Sequence, residues 1–415
     1  MAIDFSLTPE QRQLQLSARR FAADVLSGVG PAMQHLATPR ERFQATRPMY
    51  EALVREGFMR RLVPQPFGGA GTGMIDMAIV TEEFYAVDVN VSLTMLANLL
   101  GLTPIFMAGS PAQQQQFISP FLQAHGAPLA ALANSEPGGS ANFAAPSPGE
   151  GTRTVARLEG DEWVIDGAKQ WVSSATGWEG DGADVLSVVC RTDAPDAPHG
   201  SISIIAVPKG SQGIVTVRDL DALGHRGHLT PHFRLQGVRV PRDNLIGPVG
   251  GGQQIVEGSF TGTAALVGIM GVALMRAAFD FALNFAKTER RGGVLPIIEH
   301  QAVGYALADA KTKLEAARYL GWRACHAMDQ MAPGGPELAL QSKIFGSEAA
   351  VSVITRLMQV VGVDSYSHDL PLAGLLQDAI ALPLFDGGNM GVRRRQLHGI
   401  LKDDQYNSLT AAGTA

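Results

Sequence analysis

Cysteine is scarce in this chain, which has only Cys190 and Cys325 among its 415 residues. The two lie far apart and form no CxxC pair, so the sequence indicates neither a disulfide framework nor a zinc site. We therefore expect no bound metal. Scarce cysteine also fits a reducing compartment, and we expect a cytoplasmic location.

Positive charge is not in excess, because the formal net charge is −6 at pH 7. No nucleic-acid partner is expected from this balance, since phosphate binding favours a basic surface. Residues 1–13 lack the basic and apolar regions of a secretory signal, and none is expected. The uncharged apolar run at residues 258–275 contains four glycines and two threonines, which favours a buried bundle helix over a membrane span. We therefore expect no membrane partner.

Two common nucleotide-binding motifs are missing from the sequence. No GxGxxG follows a predicted strand and no Walker pattern occurs, so neither a Rossmann site nor a P-loop site is indicated. With 46% apolar and 17% charged residues, the composition is that of a globular protein with buried helices or a large subunit interface.

Helical and strand periodicities follow one another along the chain. The first third has helical spacing, and it begins with a capping box at residues 8–11 that includes a proline at the first helical position. From Leu129 the spacing changes to period two. The Asp166–Gly167 pair is typical of a hairpin turn. We predict strands at residues 153–158, 163–165, 183–191, 201–207, 214–217 and 232–240.

Long alanine-rich helices are predicted after residue 254, and their length and spacing favour a bundle. We predict them at residues 264–287, 297–328, 336–361 and 390–401. Helices, strands and helices in this order predict an α+β fold of three domains. They are an N-terminal α-helical domain at 1–128, an antiparallel β-domain at 129–248 and a C-terminal four-helix bundle domain at 249–415.

One carboxylate near the C-terminus lies in a setting typical of a general base. Asp386 follows an apolar run that ends in Phe385. Gly387, Gly388 and a predicted helix that starts with three arginines come after it. Apolar surroundings and a nearby cation act in opposite directions on the basicity of a carboxylate, and enzymes tune a base in this way. The glycines allow the backbone to approach a flat ligand. The alternative is an aspartate N-cap on a surface helix.

Two segments of the predicted β-domain suit a flavin ring. The loop at residues 133–142 is polar and rich in glycine, so its amides and hydroxyls can hydrogen-bond a ring edge or a pyrophosphate. Trp171 provides a flat indole next to the hydroxyls of Ser173 and Ser174. An ordinary loop and a core tryptophan are the alternative interpretations.

A pair of arginines closes a predicted helix at Arg290 and Arg291, and His300 and Gln301 begin the next one. Arginine is the preferred partner of a diphosphate, because its planar fork binds two oxygens at once. The alternative is a helix C-terminus whose cations favour the helix dipole.

Taken together, these features resemble the acyl-CoA dehydrogenase superfamily over residues 7–401. The features are the three-part order, the SEPGGS loop, the WVS strand end, the ERRGG and IIEHQAV segments, and an acid–Gly–Gly with arginine seven residues after the acid. Within the superfamily the chain is similar to the nitroalkane oxidase branch. This finer resemblance rests on residues 42–48, 135–142, 182–184, 188–191, 297–301 and 384–395.

The resemblance implies catalytic roles for three residues. Asp386 would be the base, Arg393 its ionic partner and Thr263 the hydroxyl beside it. The dehydrogenases of the superfamily have glutamate in an E-G-T context, whereas this chain has aspartate followed by Gly-Gly-Asn, as the nitroalkane oxidase branch does. Thr263 departs from that branch, which has serine there, and the extra methyl group narrows the expected pocket.

The resemblance also implies FAD as the cofactor and a homotetramer as the assembly. Arg291, His300 and Gln301 would reach FAD from a neighbouring subunit, with Arg290 as a second candidate for the arginine. The implied reaction converts a nitroalkane into an aldehyde or ketone, nitrite and hydrogen peroxide, with O2 as the oxidant. The residues expected to contact FAD within one chain are Leu132, Asn134, Ser135, Ser140, Trp171, Ser173, Gly387 and Gly388.

Three other functions stay open from the sequence. The first is an acyl-CoA dehydrogenase, in which the acid takes a proton and the flavin a hydride. The second is a flavin-dependent monooxygenase on the same fold, which requires a reductase partner. The third is a flavin-free helical scaffold.

Overall fold

The computed structural model describes residues 6–145, 151–193 and 201–411. The chain divides into two compact units. The first, called the helical unit, comprises Met1–Ser27, Gly73–Val89 and Thr261–Ala415. The second, called the mixed unit, comprises Gly28–Thr72 and Asn90–Phe260. This division does not follow the predicted boundaries after residues 128 and 248, and the three-domain scheme stays a prediction.

The long helices predicted after residue 254 are confirmed as α9, α10 and α11, and α9 begins earlier than expected. The described residues form these α-helices: α1 Pro9–Asp24, α2 Val29–Met33, α3 Pro39–Ala45, α4 Arg47–Arg55, α5 Phe58–Leu62, α6 Met74–Tyr85, α7 Val89–Ala108, α8 Pro111–Ile118, α9 Gly252–Thr288, α10 Gln301–Asp329, α11 Gly335–Val361, α12 Pro371–Ala381 and α13 Arg394–Leu401.

Local sequence signals account for the start of α1. The side chain of Thr8 accepts from the backbone N–H of Gln11, and the Gln11 side chain accepts from the backbone N–H of Thr8. Pro9 occupies the first turn. This reciprocal pair satisfies donors that a helix start leaves open, and it confirms the predicted capping box.

Glycines let α9 and α11 approach each other closely in the helical unit. A Cβ atom on Gly268 would lie 2.6 Å from the carbonyl oxygen of Ser342, and one on Gly346 would lie 2.7 Å from that of Gly268. No side chain fits at such distances, so glycine is required where the two helices cross. Thr263 on α9 and Lys343 on α11 lie close in sequence to these two glycines.

Within the described part of the chain, three helices, α7, α9 and α11, are long and apolar enough to cross a membrane by length and composition. In α9, 67% of the most apolar window is buried inside the folded chain. This burial agrees with the interpretation of residues 258–275 as a packed bundle helix.

The strands of the mixed unit form one sheet with the order β6-β7-β3-β2-β4-β5-β8, and β1 pairs with β4. β1–β4 and β2–β4 are parallel pairs, whereas the other pairs are antiparallel. The sheet is therefore mixed, and the expected purely antiparallel arrangement is wrong. Its strands are β1 Ala130–Ala133, β2 Val155–Glu159, β3 Glu162–Gln170, β4 Val185–Asp193, β5 Ser201–Pro208, β6 Ile214–Asp219, β7 Pro231–Pro241 and β8 Leu245–Ile246.

The hairpin predicted at Asp166 and Gly167 is also wrong. Both residues lie inside β3, where the register against β7 shifts between Ile165 and Gly167. A side chain on Gly167 would collide with Thr154, so this glycine allows a close backbone approach within the sheet. The turn between β2 and β3 falls instead at residues 160–161.

Candidate active site

A short turn between α12 and α13 carries the predicted base. Asp386 lies in this turn with a φ of 51°, in the left-handed region that aspartate adopts more readily than most residues. Gly388, and not Asp386, occupies the N-cap of the following helical segment Asn389–Arg393. The alternative of an aspartate N-cap is therefore wrong, and the Asp386 side chain is available for another role.

Arg393 encloses Asp386 from the next turn of the chain. Its Nη2 donates to Asp386 Oδ2 at 2.9 Å. Its Nε and Nη2 also donate to the backbone oxygen of Asp386 at 2.9 and 2.6 Å. The Arg393 side chain is fully buried and that of Asp386 is 5% exposed. One of these bonds holds the carboxylate and two hold the backbone of the same residue, so the guanidinium fixes the orientation of Asp386.

Thr263 on α9 provides the second donor to the carboxylate. Its Oγ1 lies 3.1 Å from Asp386 Oδ1, so the two carboxylate oxygens are bonded by different residues. The structure thus brings together the three predicted catalytic residues within the helical unit.

The two glycines after the base have close neighbours in the chain itself. A Cβ on Gly387, which has a φ of 69°, would lie 3.0 Å from Arg393 Nε, and one on Gly388 would lie 3.1 Å from the carbonyl oxygen of Leu384. Gly387 therefore leaves room for the arginine across the turn. The expected contact of these glycines with a flavin stays a prediction.

Sequence reasoning missed the buried Lys343 and assigned no role of its own to Asn389, which ends the turn. Lys343 on α11 donates to Asn389 Oδ1 at 2.9 Å and to the carbonyl oxygen of Leu382 at 3.2 Å. Asn389 in turn donates to Ser347 Oγ and Glu348 Oε1, each at 3.0 Å. A signal existed, because Lys343 shares helical spacing with buried Ala339, Gly346 and Ala350.

The mixed unit contains the loop predicted to face a flavin. Leu132 lies in β1, and the backbone oxygen of Ser135 accepts from the backbone N–H of Gln170. Ser140 Oγ accepts from the backbone N–H of Glu136 at 2.9 Å, which closes the loop. Asn134 Oδ1 is buried, and no group in the described residues bonds to it. A buried amide oxygen normally has a donor, so this atom is suited to a ligand N–H or O–H.

A buried ion pair supports this loop from below. Lys169 Nζ donates to Glu136 Oε1 at 2.8 Å and to the carbonyl oxygen of Asn134 at 3.3 Å. The Glu136 carboxylate also accepts from the backbone of Arg153 and Thr154. Burial alone would raise the pKa of the Glu136 carboxyl, but Lys169 and these donors hold that pKa below its ordinary range.

Trp171 and Ser173 lie just after β3 in the same unit. Trp171 has a φ of 61° and its side chain is 54% exposed, so it is not the core tryptophan of the alternative interpretation. Ser173 Oγ lies 3.0 Å from His228 Nε2, whose Nδ1 lies 2.9 Å from Thr94 Oγ1. Burial lowers the pKa of His228 to about 3, so the imidazole is neutral and holds the Ser173 hydroxyl by a hydrogen bond.

The segment predicted to reach a neighbouring subunit lies at the surface of the helical unit. Arg291, His300 and Gln301 are exposed. Arg291 Nη1 bonds Asp364 Oδ2 at 2.6 Å, and its guanidinium lies over the ring of Phe285 at 4.9 Å. Arg290 bonds the carbonyl oxygen of Val294 at 2.9 Å. Their contact with a cofactor stays a prediction.

No cluster of three histidine, cysteine or acidic side chains in residues 6–145, 151–193 and 201–411 could hold a metal ion.

Family profiles match the chain in three consecutive parts. They describe the N-terminal domain of acyl-CoA dehydrogenase at residues 8–125, the middle domain at 131–238 and the C-terminal domain at 250–399. The chain belongs to the acyl-CoA dehydrogenase family. Proteins of this family are flavoenzymes and oxidoreductases, and the predicted family and α+β fold class are confirmed.

Among its relatives, the chain is similar to two fungal nitroalkane oxidases. It is 42% identical to that of Podospora anserina over 98% of both chains, and 39% identical to that of Fusarium oxysporum over 99% of this chain and 97% of the relative. The solved Podospora anserina nitroalkane oxidase superposes with a TM-score of 0.94 at 40% identity, covering 99% of this chain and all of that one. An active-site mutant of nitroalkane oxidase crystallized with 1-nitrooctane superposes with a TM-score of 0.95 at 37% identity, with both chains fully covered.

The mixed unit of this family member fits a flavin on its own residues. Asn134 Oδ1 and Ser174 Oγ are buried, and neither atom has a hydrogen-bond partner in the described part of the chain. Trp171 presents a flat and exposed surface nearby in sequence. A flavin ring has both polar edges and flat faces, so these groups have the chemistry to hold it.

Proposed function

We propose that the protein oxidises nitroalkanes to aldehydes or ketones. The observation that carries this proposal is the base itself, an aspartate whose two carboxylate oxygens are bonded by Arg393 and Thr263. The similarity to nitroalkane oxidases over nearly the whole chain supports the choice of substrate. The second solved relative was crystallized with 1-nitrooctane, so an unbranched primary nitroalkane is the first substrate to test.

The proton at the α-carbon of a nitroalkane is acidic in water but leaves slowly, so a positioned base accelerates its loss. General base catalysis typically contributes about a hundred- to ten-thousandfold. Asp386 takes this proton, and the substrate becomes an anionic nitronate. Arg393 orients the carboxylate before the transfer, because it donates to Oδ2 and to the backbone oxygen of the same residue.

FAD is the proposed cofactor, and when bound it supplies the two-electron oxidation of the nitronate. The mixed unit would hold it through Leu132, Asn134, Ser135, Ser140, Trp171 and Ser173. The overall reaction consumes nitroalkane, O2 and water, and it yields aldehyde or ketone, nitrite and hydrogen peroxide. O2 is the proposed oxidant.

A homotetramer in the cytoplasm is the proposed assembly and location. The exposed positions of Arg291, His300 and Gln301 support a role outside their own subunit. Arg291 would then exchange its bond with Asp364 for a diphosphate, which its planar fork suits.

The proposed function is tested by assaying nitrite release from nitroethane and 1-nitrooctane by the purified yellow protein. Nitrite in proportion to substrate consumed, together with hydrogen peroxide, is the expected result. Acyl-CoA oxidation with an artificial electron acceptor is the parallel assay, since an acyl-CoA dehydrogenase starts with the same kind of proton transfer. Turnover of acyl-CoA without nitrite from any nitroalkane contradicts the proposal. A protein that lacks the absorption bands of flavin contradicts the cofactor.

A further inference from the structure

Lys343 connects the two ends of the turn that carries Asp386. Its Nζ donates to the carbonyl oxygen of Leu382, where the turn begins, and to Asn389 Oδ1, where the turn ends. The Lys343 side chain is fully buried on α11. An ammonium group is rarely buried without a function or a close partner, because its desolvation is costly.

Both bonded partners of Lys343 are neutral, so no directly bonded carboxylate offsets the cost of burying its charge. Burial lowers the pKa of Lys343 to about 8; Asp386 and Glu348 act to raise that pKa, and Arg393 acts to lower it. Glu348 is already paired with Arg394 through two bonds of 2.6 and 2.9 Å. Asp386 is therefore the carboxylate whose charge Lys343 is best placed to complement.

We propose that Lys343 is a positioning residue for the base. Its ammonium holds the turn in the conformation that presents Asp386, and it supplies a second positive charge, besides that of Arg393, that favours the ionised carboxylate. This inference rests on the proposed role of Asp386 as a base. It also assigns a role to Asn389 of the Asp-Gly-Gly-Asn sequence. Asn389 accepts a hydrogen bond from Lys343 and donates to Ser347 and Glu348, so it connects the end of the turn to α11.

The experiment compares Lys343→Met and Lys343→Gln with the wild-type holoenzyme. Methionine removes the charge and the donor, whereas glutamine removes the charge and keeps an N–H donor. Lys313→Met is the matched control, since Lys313 on α10 is exposed and its loss changes the net charge equally. kcat/KM is measured against pH with neutral nitroethane and with its preformed nitronate.

In both Lys343 variants we expect the acidic limb of the profile for nitroethane to move to higher pH by about one pH unit. The reason is that a carboxylate without a neighbouring cation ionises less readily. The nitronate, which has already lost its proton, should react at close to the wild-type rate, and Lys313→Met should leave the limb in place.

If the wild-type protein oxidises nitroethane but the acidic limb of Lys343→Gln lies at the wild-type pH, this inference is overturned. The proposed function stands in that case. Equal losses on nitroethane and nitronate also overturn it, because they indicate a general loss of structure. Wild-type protein that releases no nitrite contradicts the proposed function itself, so the two failures are distinguishable. If Lys343→Met does not fold, Lys343→Gln alone decides.

Discussion

Replacing Thr263 with valine should move the acidic limb of the rate–pH profile to higher pH. Thr263 Oγ1 donates to Asp386 Oδ1 at 3.1 Å, and a donor favours the ionised form of the carboxylate that accepts from it. Valine keeps the branched shape of threonine but has no donor. The variant therefore needs a higher pH to reach the same fraction of ionised base.

The size of this shift follows from the geometry of the bond. A hydrogen bond to a charged group is worth about 1.5 to 3 kcal/mol, and one pH unit corresponds to about 1.4 kcal/mol. A distance of 3.1 Å is long for a hydroxyl that donates to a carboxylate, so we expect the lower end of this range. The predicted shift is about one pH unit.

The assay is kcat/KM for neutral nitroethane as a function of pH, with two comparison variants. Thr263→Ser keeps the hydroxyl and should keep the wild-type limb, and its smaller side chain should admit bulkier substrates. Thr288→Val is the control and should keep the wild-type limb. Thr288 lies on the same helix as Thr263, but its hydroxyl donates to the carbonyl oxygens of Asn284 and Phe285. An unmoved limb in Thr263→Val, or the same shift in Thr288→Val, would refute the reasoning.

Three further predictions concern the surrounding charges. Arg393→Lys keeps the charge but loses the planar fork, so turnover of nitroethane should fall by about ten- to a hundredfold, less than for Asp386→Asn; equal losses in the two variants would contradict this. In the unfolded chain Lys343 keeps its proton up to its ordinary pKa of 10.5, whereas in the folded chain it loses the proton near pH 8. The free energy of unfolding of the wild type should therefore rise between these pH values by up to about 3 kcal/mol relative to that of Lys343→Met. The same pH dependence for both proteins in urea unfolding would contradict this. Replacing Arg291 and Arg290 together by alanine should lower the affinity for FAD and weaken the subunit assembly. Flavin content after purification and the mass on gel filtration measure these two effects. Full retention of flavin in the double variant would exclude an arginine contact with FAD from a neighbouring subunit.

Helices were predictable here where local signals decide them. The Thr8 capping box fixes the start of α1, and the alanine-rich periodicity of α10 and α11 predicts their course. The Asp166–Gly167 hairpin failed for a physical reason. A glycine in a strand sequence indicates either a turn or a close backbone approach, and only the position of Thr154 on a neighbouring segment decides between them.

The residues of the candidate site could be predicted where they lie close together in the sequence. Asp386 and Arg393 lie seven residues apart in one glycine-containing segment, so the sequence itself brings them close. Thr263 came from the family resemblance, since 123 residues separate it from its partner. Lys343 escaped prediction because lysine is normally exposed, and its burial depends on acceptors at Leu382 and Asn389 that only the folded chain assembles.

The central claim is that Asp386 takes the α-proton of a neutral nitroalkane, and Asp386→Asn tests it most directly. Asparagine keeps the shape of aspartate and removes the proton acceptor, so flavin content should stay unchanged. Asp309→Asn, an exposed position on α10, is the matched control and should behave as wild type. The account predicts that Asp386→Asn loses roughly a hundred- to ten-thousandfold in kcat/KM on nitroethane but still oxidises its preformed nitronate. Equal losses on both substrates would contradict it.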